Sequence, residues 1–231
     1  MTQLFFPACP GRLLLILFFL ISITDANAQF VITDINPDQS TLDASDPDGA
    51  TGGRINGLAT THGNANVYYA ASEFGGLYKT TDFQVNGGQW FRLEAHLPML
   101  TIDVEVSPDG FALYASSLYD GRVNSVAGIN VSYDGGASWT KPLTATPAPG
   151  SCAEATAISE PSATGISVDP NNPAAVNAGT NCGLAISNDF GASWTYSNPF
   201  APAASGTIWD VVVHHGGIID VCGQSCMVMS L

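Results

Sequence analysis

Basic residues are scarce in this chain. Only 6 of its 231 residues are Lys or Arg, against 20 Asp or Glu, and the formal net charge is −14 at pH 7. A surface of this sign repels the phosphates of nucleic acids and anionic lipid headgroups. We therefore predict that the chain binds neither nucleic acid nor an anionic membrane surface.

Long apolar segments are also rare, and the longest is near the start of the chain. Residues 13–23 are apolar except for Ser22, and Arg12 precedes them. This run is well short of the roughly 20 residues that cross a bilayer. Ala26-Asn27-Ala28 follows it and is typical of a cleavage site before Gln29. The pattern predicts a signal peptide over residues 1–28 and a secreted or periplasmic protein, with a membrane anchor as the alternative.

Four cysteines follow the predicted signal peptide. An even number in an exported chain predicts disulfides, and sequence alone does not choose among the three possible pairings. The C-x3-C spacing at the end of the chain has no matching second pair, and residues 43–49 resemble a solvated acidic loop. We predict no metal site and no cofactor. The disulfide candidates are Cys152, Cys182, Cys222 and Cys226.

A sustained 3.6-residue apolar period is absent after the signal peptide, so almost no helix is expected. An internal repeat is present instead. The motif S-x-D-x-G-x-[ST]-W occurs over residues 132–139 and again over 187–194, and a looser copy over 80–90 has three extra residues. The motif tryptophans, Trp90, Trp139 and Trp194, are 49 and 55 residues apart. This spacing is typical of one four-stranded propeller blade.

The segments between the motifs predict three strands in each of the first three units and two in the fourth. Each unit opens with a β-rich run and continues through a Gly/Pro/Asn/Asp turn into a second strand, and the first three units reach the motif through a third. The predicted first strands are 54–60, 101–106, 165–168 and 207–213, the second strands are 67–72, 112–116, 175–179 and 218–222, and the third strands are 77–80, 128–132 and 183–187.

The motif has the composition of a hairpin turn between the third and fourth strands. Its Asp can accept hydrogen bonds from backbone N–H groups, its Ser or Thr can tie the turn to the flanking strand, and its fifth residue, Gly, tolerates a backbone angle that a Cβ hinders. Its Trp can bury a large apolar face between sheets. The predicted structural residues are Asp82, Trp90, Ser132, Asp134, Gly136, Trp139, Ser187, Asp189, Gly191 and Trp194.

These residues resemble the Asp-box, or BNR, repeat family over about residues 52–222. The resemblance implies an all-β propeller, and the motif is shared by sialidases, xyloglucan-active glycoside hydrolases, sortilin-type receptors and photosystem assembly factors. A propeller closes with four to eight blades. We predict three full blades and a half blade of two strands over residues 54–231, after an irregular acidic lead over 29–53. The remaining blades of a larger propeller are then expected partners.

We call the three copies of the motif the first, second and third boxes, in chain order. The resemblance also implies that the boxes lie on the face opposite the ligand site. The loops on the ligand side would then present Arg54, Glu73, Asp120, Arg122 and Asp210. Cys152 and Cys182 fall in loops of one blade on this side and are the preferred disulfide, which leaves Cys222 with Cys226.

A binding or scaffold module with a protein or carbohydrate ligand is the function we predict, since no catalytic signature is evident. A fragment of a glycoside hydrolase is the alternative. A sialidase-like arginine clamp is not supported, because only Arg54, Arg92 and Arg122 follow the signal peptide. Other glycosidases need two carboxylates across a cleft, and Asp103 and Asp210 are among the candidates. A protein-assembly module is not separable from the first prediction by sequence.

Overall fold

A computed structural model describes residues 53–85, 88–119, 127–140, 162–197, 207–214, 218–223 and 226–230, the last segment by its backbone alone. All of them lie in one compact unit, Asp34–Leu231. The predicted signal peptide and nearly all of the acidic lead lie outside the described residues. Asp120, Arg122 and Cys152 lie outside them as well.

The described residues form fourteen strands and no helix. The strands make four antiparallel sheets, each with its strands in chain order, and we call these blades 1 to 4. Blade 1 contains β1 (Ile55–Thr60), β2 (Tyr68–Ser72), β3 (Gly76–Thr80) and β4 (Phe91–Arg92); blade 2 contains β5 (Thr101–Val106), β6 (Leu113–Ser117) and β7 (Ile129–Ser132); blade 3 contains β8 (Ala163–Asp169), β9 (Asn172–Thr180), β10 (Gly183–Ser187) and β11 (Thr195–Ser197); blade 4 contains β12 (Asp210–His214), β13 (Ile218–Cys222) and β14 (Cys226–Ser230).

Neighbouring blades pack face to face through apolar side chains. Successive residues of a strand point to opposite faces, so a strand of an inner blade serves two interfaces: in β10, Leu184 packs with blade 4 and Ala185 with blade 2. In β12, Val211 and Val213 are buried against blade 3 while Val212 on the other face is exposed. The first strands β1, β5, β8 and β12 lie next to one another. They therefore form the inner wall of the array.

Blade 4 departs from the predicted strand content. Blade 4 has a third strand, β14, which pairs with β13 and brings Cys226 opposite Cys222. The expected half blade of two strands was therefore one strand short. In blade 2, Val131 forms a bridge with Thr140 after the box, and residues 141–161 lie outside the described residues.

The box tryptophans differ in burial. Trp194 is 5% exposed and lies between blades 2 and 3. Trp139 packs between blades 1 and 2 but is only half-buried, which is less than predicted. Trp90 is 1% exposed, on the face of blade 1 turned away from blade 2. Phe83, at the start of the longer first box, packs on that face with its ring 6.3 Å from Trp90.

A histidine is enclosed beside Trp139. His96 is 1% exposed, and its ring centre is 4.7 Å from that of Trp139. Neither of its ring nitrogens has a hydrogen-bond partner among the described residues. Burial, together with the nearby charge of Arg92, lowers the pKa of His96 from 6.5 to about 3. The imidazole is therefore neutral at physiological pH.

Candidate functional site

The two strict boxes share one hydrogen-bond pattern. In the second box, Asp134 Oδ1 accepts hydrogen bonds from Ser132 Oγ and from the Ser138 backbone N–H, both at 2.8 Å. The N–H of Gly136 donates to Ser132 Oγ, and Trp139 Nε1 donates to the Gly136 carbonyl. The third box repeats each contact with Ser187, Asp189, Gly191, Ser193 and Trp194.

The box carboxylates accept hydrogen bonds from residues within their own turns. Hydrogen bonds from Ser138 are the main cause that lowers the pKa of Asp134 to about 2, and a hydrogen bond from Ser193 lowers that of Asp189. In the first box, Asp82 accepts the Gln89 N–H, which lowers its pKa in the same way. Gly136 and Gly191 have φ of 96° and 81°, as expected for the fifth box residue. These contacts are those of a structural motif.

A cleft of about 560 Å³ lies at the opposite end of the blades, where the first strands begin. We call it the acidic cleft. All four blades contribute to it, and it includes three of the five residues predicted for the ligand side, Arg54, Glu73 and Asp210. Its lining is Arg54, Asn56, Glu73, Ile102, Asp103, Leu118, Thr164, Gly165, Trp209 and Asp210.

One charge pair stands on the blade 1 side of this cleft. Arg54 Nε is 2.8 Å from Glu73 Oε2 and donates a hydrogen bond to Asn56 Oδ1 at 2.9 Å. The arginine side chain is 76% exposed, so the pair adds little stability. It does neutralise the only cation that lines the cleft among the described residues.

Asp103 is the most enclosed carboxylate of the cleft. Its Oδ1 accepts the N–H of Val104 and its Oδ2 accepts that of Ile166 in blade 3, both at 2.9 Å. Burial, reinforced by the nearby charge of Asp210, raises the pKa of Asp103 to about 6 despite these hydrogen bonds. Glu105, the next residue on the same side of β5, has a pKa raised to about 7 by burial and by Asp103.

Glycines make room for the two aspartates. A Cβ on Gly57 in blade 1 would lie 2.5 Å from Asp103 Oδ1, and one on Gly165 in blade 3 would lie 2.9 Å from Asp210 Oδ1. The glycines are 108 residues apart and the aspartates 107. Gly and Asp therefore alternate at one position of successive first strands. The strand register shifts at this level in blades 1, 2 and 3, and such bulges re-aim side chains.

A second cavity of about 400 Å³, the neutral pocket, adjoins the acidic cleft. The two share Leu118, Thr164 and Trp209, and the Trp209 side chain is 61% exposed. The other residues around the neutral pocket are Leu100, Tyr119, Ser162, Asn181 and Thr207. Among the described residues that line it, only Tyr119 has an ionisable side chain. A charged cavity and an uncharged cavity therefore share one aromatic wall.

Comparison with known proteins supports the architecture. No protein-family model matches the chain, and no curated protein matches it. Among solved structures, an ancestral GH74 enzyme aligns with a TM-score of 0.53 and 20% identity over 84% of this chain. YCF48 bound to D1 peptide aligns with a TM-score of 0.51 and 14% identity over 78% of it. The fold is an incomplete β-propeller. The all-β propeller prediction is thereby confirmed.

These comparisons establish the fold alone, because the identities are low. A GH74 xyloglucanase from Xanthomonas campestris also aligns, with a TM-score of 0.49 and 20% identity, over 72% of this chain and 26% of that one. This chain covers 23% of the ancestral GH74 enzyme and 51% of YCF48. It therefore spans about a quarter to a half of these proteins.

Other predicted features have mixed outcomes. Cys182 is buried in the turn between β9 and β10, but Cys152 lies outside the described residues, so their pairing stays a prediction. In the part of the chain that the structure describes, no helix has the length and apolarity to cross a membrane. No group of three or more potential ligand side chains suited to a metal occurs there.

Proposed function

We propose that the chain is an extracytoplasmic Asp-box propeller module that binds a protein or carbohydrate ligand at the acidic cleft without converting it. The observation that carries this proposal is the convergence of Arg54, Glu73, Asp210 and Trp209 on one cleft. A largely preformed concavity with a few polar groups and an exposed aromatic is the usual form of a binding site. Further propeller blades are expected to complete the surface around it.

The finer assignments have separate support. The repeated Ser–Asp–backbone contacts of residues 132–139 and 187–194 support the Asp-box family. The apolar run and small residues before Gln29 support export. The Cα register of Cys222 with Cys226 supports the proposed pair Cys222–Cys226. The proposed pair Cys152–Cys182 is supported by the even number of cysteines after the predicted signal peptide.

A matched pair of variants tests the location of the binding site. The immobilised protein, its Trp209→Ala variant and its Phe111→Ala variant would be incubated with extracytoplasmic extract and a glycan array. Phe111 is the control, because its ring is 53% exposed near the box end of blade 2. We expect a specific ligand to be retained by wild type and Phe111→Ala and lost from Trp209→Ala. Equal retention by all three would place the site elsewhere.

A glycoside hydrolase fragment is the second candidate, and the state of Asp103 favours it. Glycosidases use two carboxyl groups, of which one holds a proton near neutral pH. Asp103, with its pKa raised to about 6, and Asp210 line the same cleft. Turnover of aryl glycosides, sialosides or xyloglucan that disappears in Asp103→Asn would support this candidate. Absence of turnover in wild type would reject it for this chain.

A further inference from the structure

The charges of the acidic cleft do not balance. Arg54 is paired with Glu73, whereas no Lys, Arg or His among the described residues forms an ion pair with Asp103 or Asp210. Both oxygens of Asp103 and one oxygen of Asp210 accept backbone N–H groups. These bonds hold the carboxylates in place but bring no full positive charge. The cleft therefore presents up to two uncompensated negative charges within a chain that is already acidic.

The neighbouring surface is apolar and uncharged. Trp209 and Leu118 stand between the acidic cleft and the neutral pocket, and Leu100 extends the apolar wall. Trp209 offers an exposed ring face, on which an alkyl stem or a cation packs favourably. Ser162 and Thr207 add hydroxyl groups that can hydrogen-bond to a neutral backbone. A ligand that fills both cavities has a positive charge at one end and an apolar group beside it.

We infer that this pair of cavities recognises a peptide segment in which a Lys or Arg lies next to a large apolar residue. This inference rests on the proposed function and names its ligand class. The cationic head lies against Asp103 and Asp210, its alkyl stem lies along Trp209, and the apolar side chain enters the neutral pocket. A neutral sugar leaves the two carboxylates uncompensated, and a simple polyamine leaves the neutral pocket empty. The peptide supplies a positive charge to the acidic cleft and an apolar side chain to the neutral pocket.

Binding of such a peptide depends on pH. Asp103 faces Asp210 from β12, Gly57 of β1 and the Ile166 N–H of β8, with Glu105 beside it on its own strand. Arg54 and Glu73 lie across the cleft. Because burial raises the pKa of Asp103 to about 6, its negative charge is present above that pH and is lost below it. The affinity for a cation is therefore expected to fall as the pH decreases from 7.5 to 5.

Three labelled hexapeptides with the full chain test the inference by fluorescence anisotropy. They carry a central Lys-Leu, Gln-Leu or Lys-Ser pair and are otherwise identical. We expect Lys-Leu to bind at least about tenfold more tightly than either other peptide, a difference of about 1.4 kcal/mol. Asp210→Asn and Trp209→Ala should weaken Lys-Leu binding to a similar degree. Asp109→Asn, an exposed carboxylate in the β5–β6 turn at the box end, should leave it unchanged.

The pH series separates Asp103 from the other acids. Lys-Leu affinity should fall several-fold between pH 7.5 and 5 in wild type and change little in Asp103→Asn. Equal binding of the Lys and Gln peptides, or no binding of any of them, would overturn the inference. If Trp209→Ala still abolishes retention of a different ligand, the proposed function survives that result. If Trp209→Ala has no effect on any retained ligand, the proposed function fails as well.

Discussion

The enclosed imidazole of His96 predicts that acid weakens the fold through one residue. The unfolded chain protonates this histidine below about pH 6.5, whereas the folded state keeps it neutral down to about pH 3. Unfolding therefore takes up a proton in this window, and stability falls as the pH falls. The slope is about 1.4 kcal/mol per pH unit, so the loss between pH 6.5 and 5 is about 2 kcal/mol.

The His96→Phe variant isolates this contribution. Phenylalanine keeps a ring against Trp139 and removes the two ring nitrogens that lack partners. Urea unfolding followed by tryptophan fluorescence would be measured at pH 7.5, 6 and 5. Asp103 and Glu105 titrate in both proteins, so their effects cancel in the difference between wild type and variant. The exposed His62, changed to Gln, is the control and should behave as wild type.

The expected difference grows as the pH falls. Wild type should lose about 2 kcal/mol relative to His96→Phe between pH 7.5 and 5. If the unfolding free energies of the two proteins stay parallel across this range, His96 is not held neutral by burial. The packing assigned to residues 93–100 and Trp139 would then be wrong.

Further predictions concern the boxes and the cleft. Trp194→Ala should cost about 3–5 kcal/mol in urea unfolding, and the half-buried Trp139→Ala less; equal losses would contradict the packing. Gly165→Ala places a Cβ 2.9 Å from Asp210 Oδ1 and should weaken Lys-Leu peptide binding, with unchanged anisotropy titrations as the contrary result. Hydrogen bonds lower the pKa of Asp134 to about 2, so its ionised carboxylate stabilises the fold above about pH 4. This stabilisation is lost as the pH falls through about 2. The difference in melting temperature between wild type and Asp134→Asn should therefore shrink from pH 5 to 2.

Sequence reasoning was most successful where structure is local. The contacts of Asp134 and Asp189 join residues at most four positions away, so the motif itself contains the geometry. The strands follow from β-rich runs between turn residues, which is why the predicted and observed bounds agree closely. The packing of Phe83 on the same face of blade 1 as Trp90 was not predicted, because it depends on the longer loop of the first box.

The cleft was only partly predictable. Arg54, Glu73 and Asp210 were expected on one side, whereas Asp103 was considered only as one possible glycosidase carboxylate and Trp209 was missed. Asp103 lies inside an alternating strand, where an acid is usually exposed to solvent. Its equivalence to Asp210, 107 residues later, is the signal that aligning the first strands would have revealed. The neutral pocket joins three blades, and no local pattern encodes it.

The alternation of Gly and Asp along the first strands has a consequence for how the array can change. Each carboxylate occupies the space that a missing side chain leaves in the preceding blade. Deletion or duplication of a single blade would bring two acids together, or leave two glycines facing a void. A change in blade number that preserves this alternation therefore involves two successive blades rather than one.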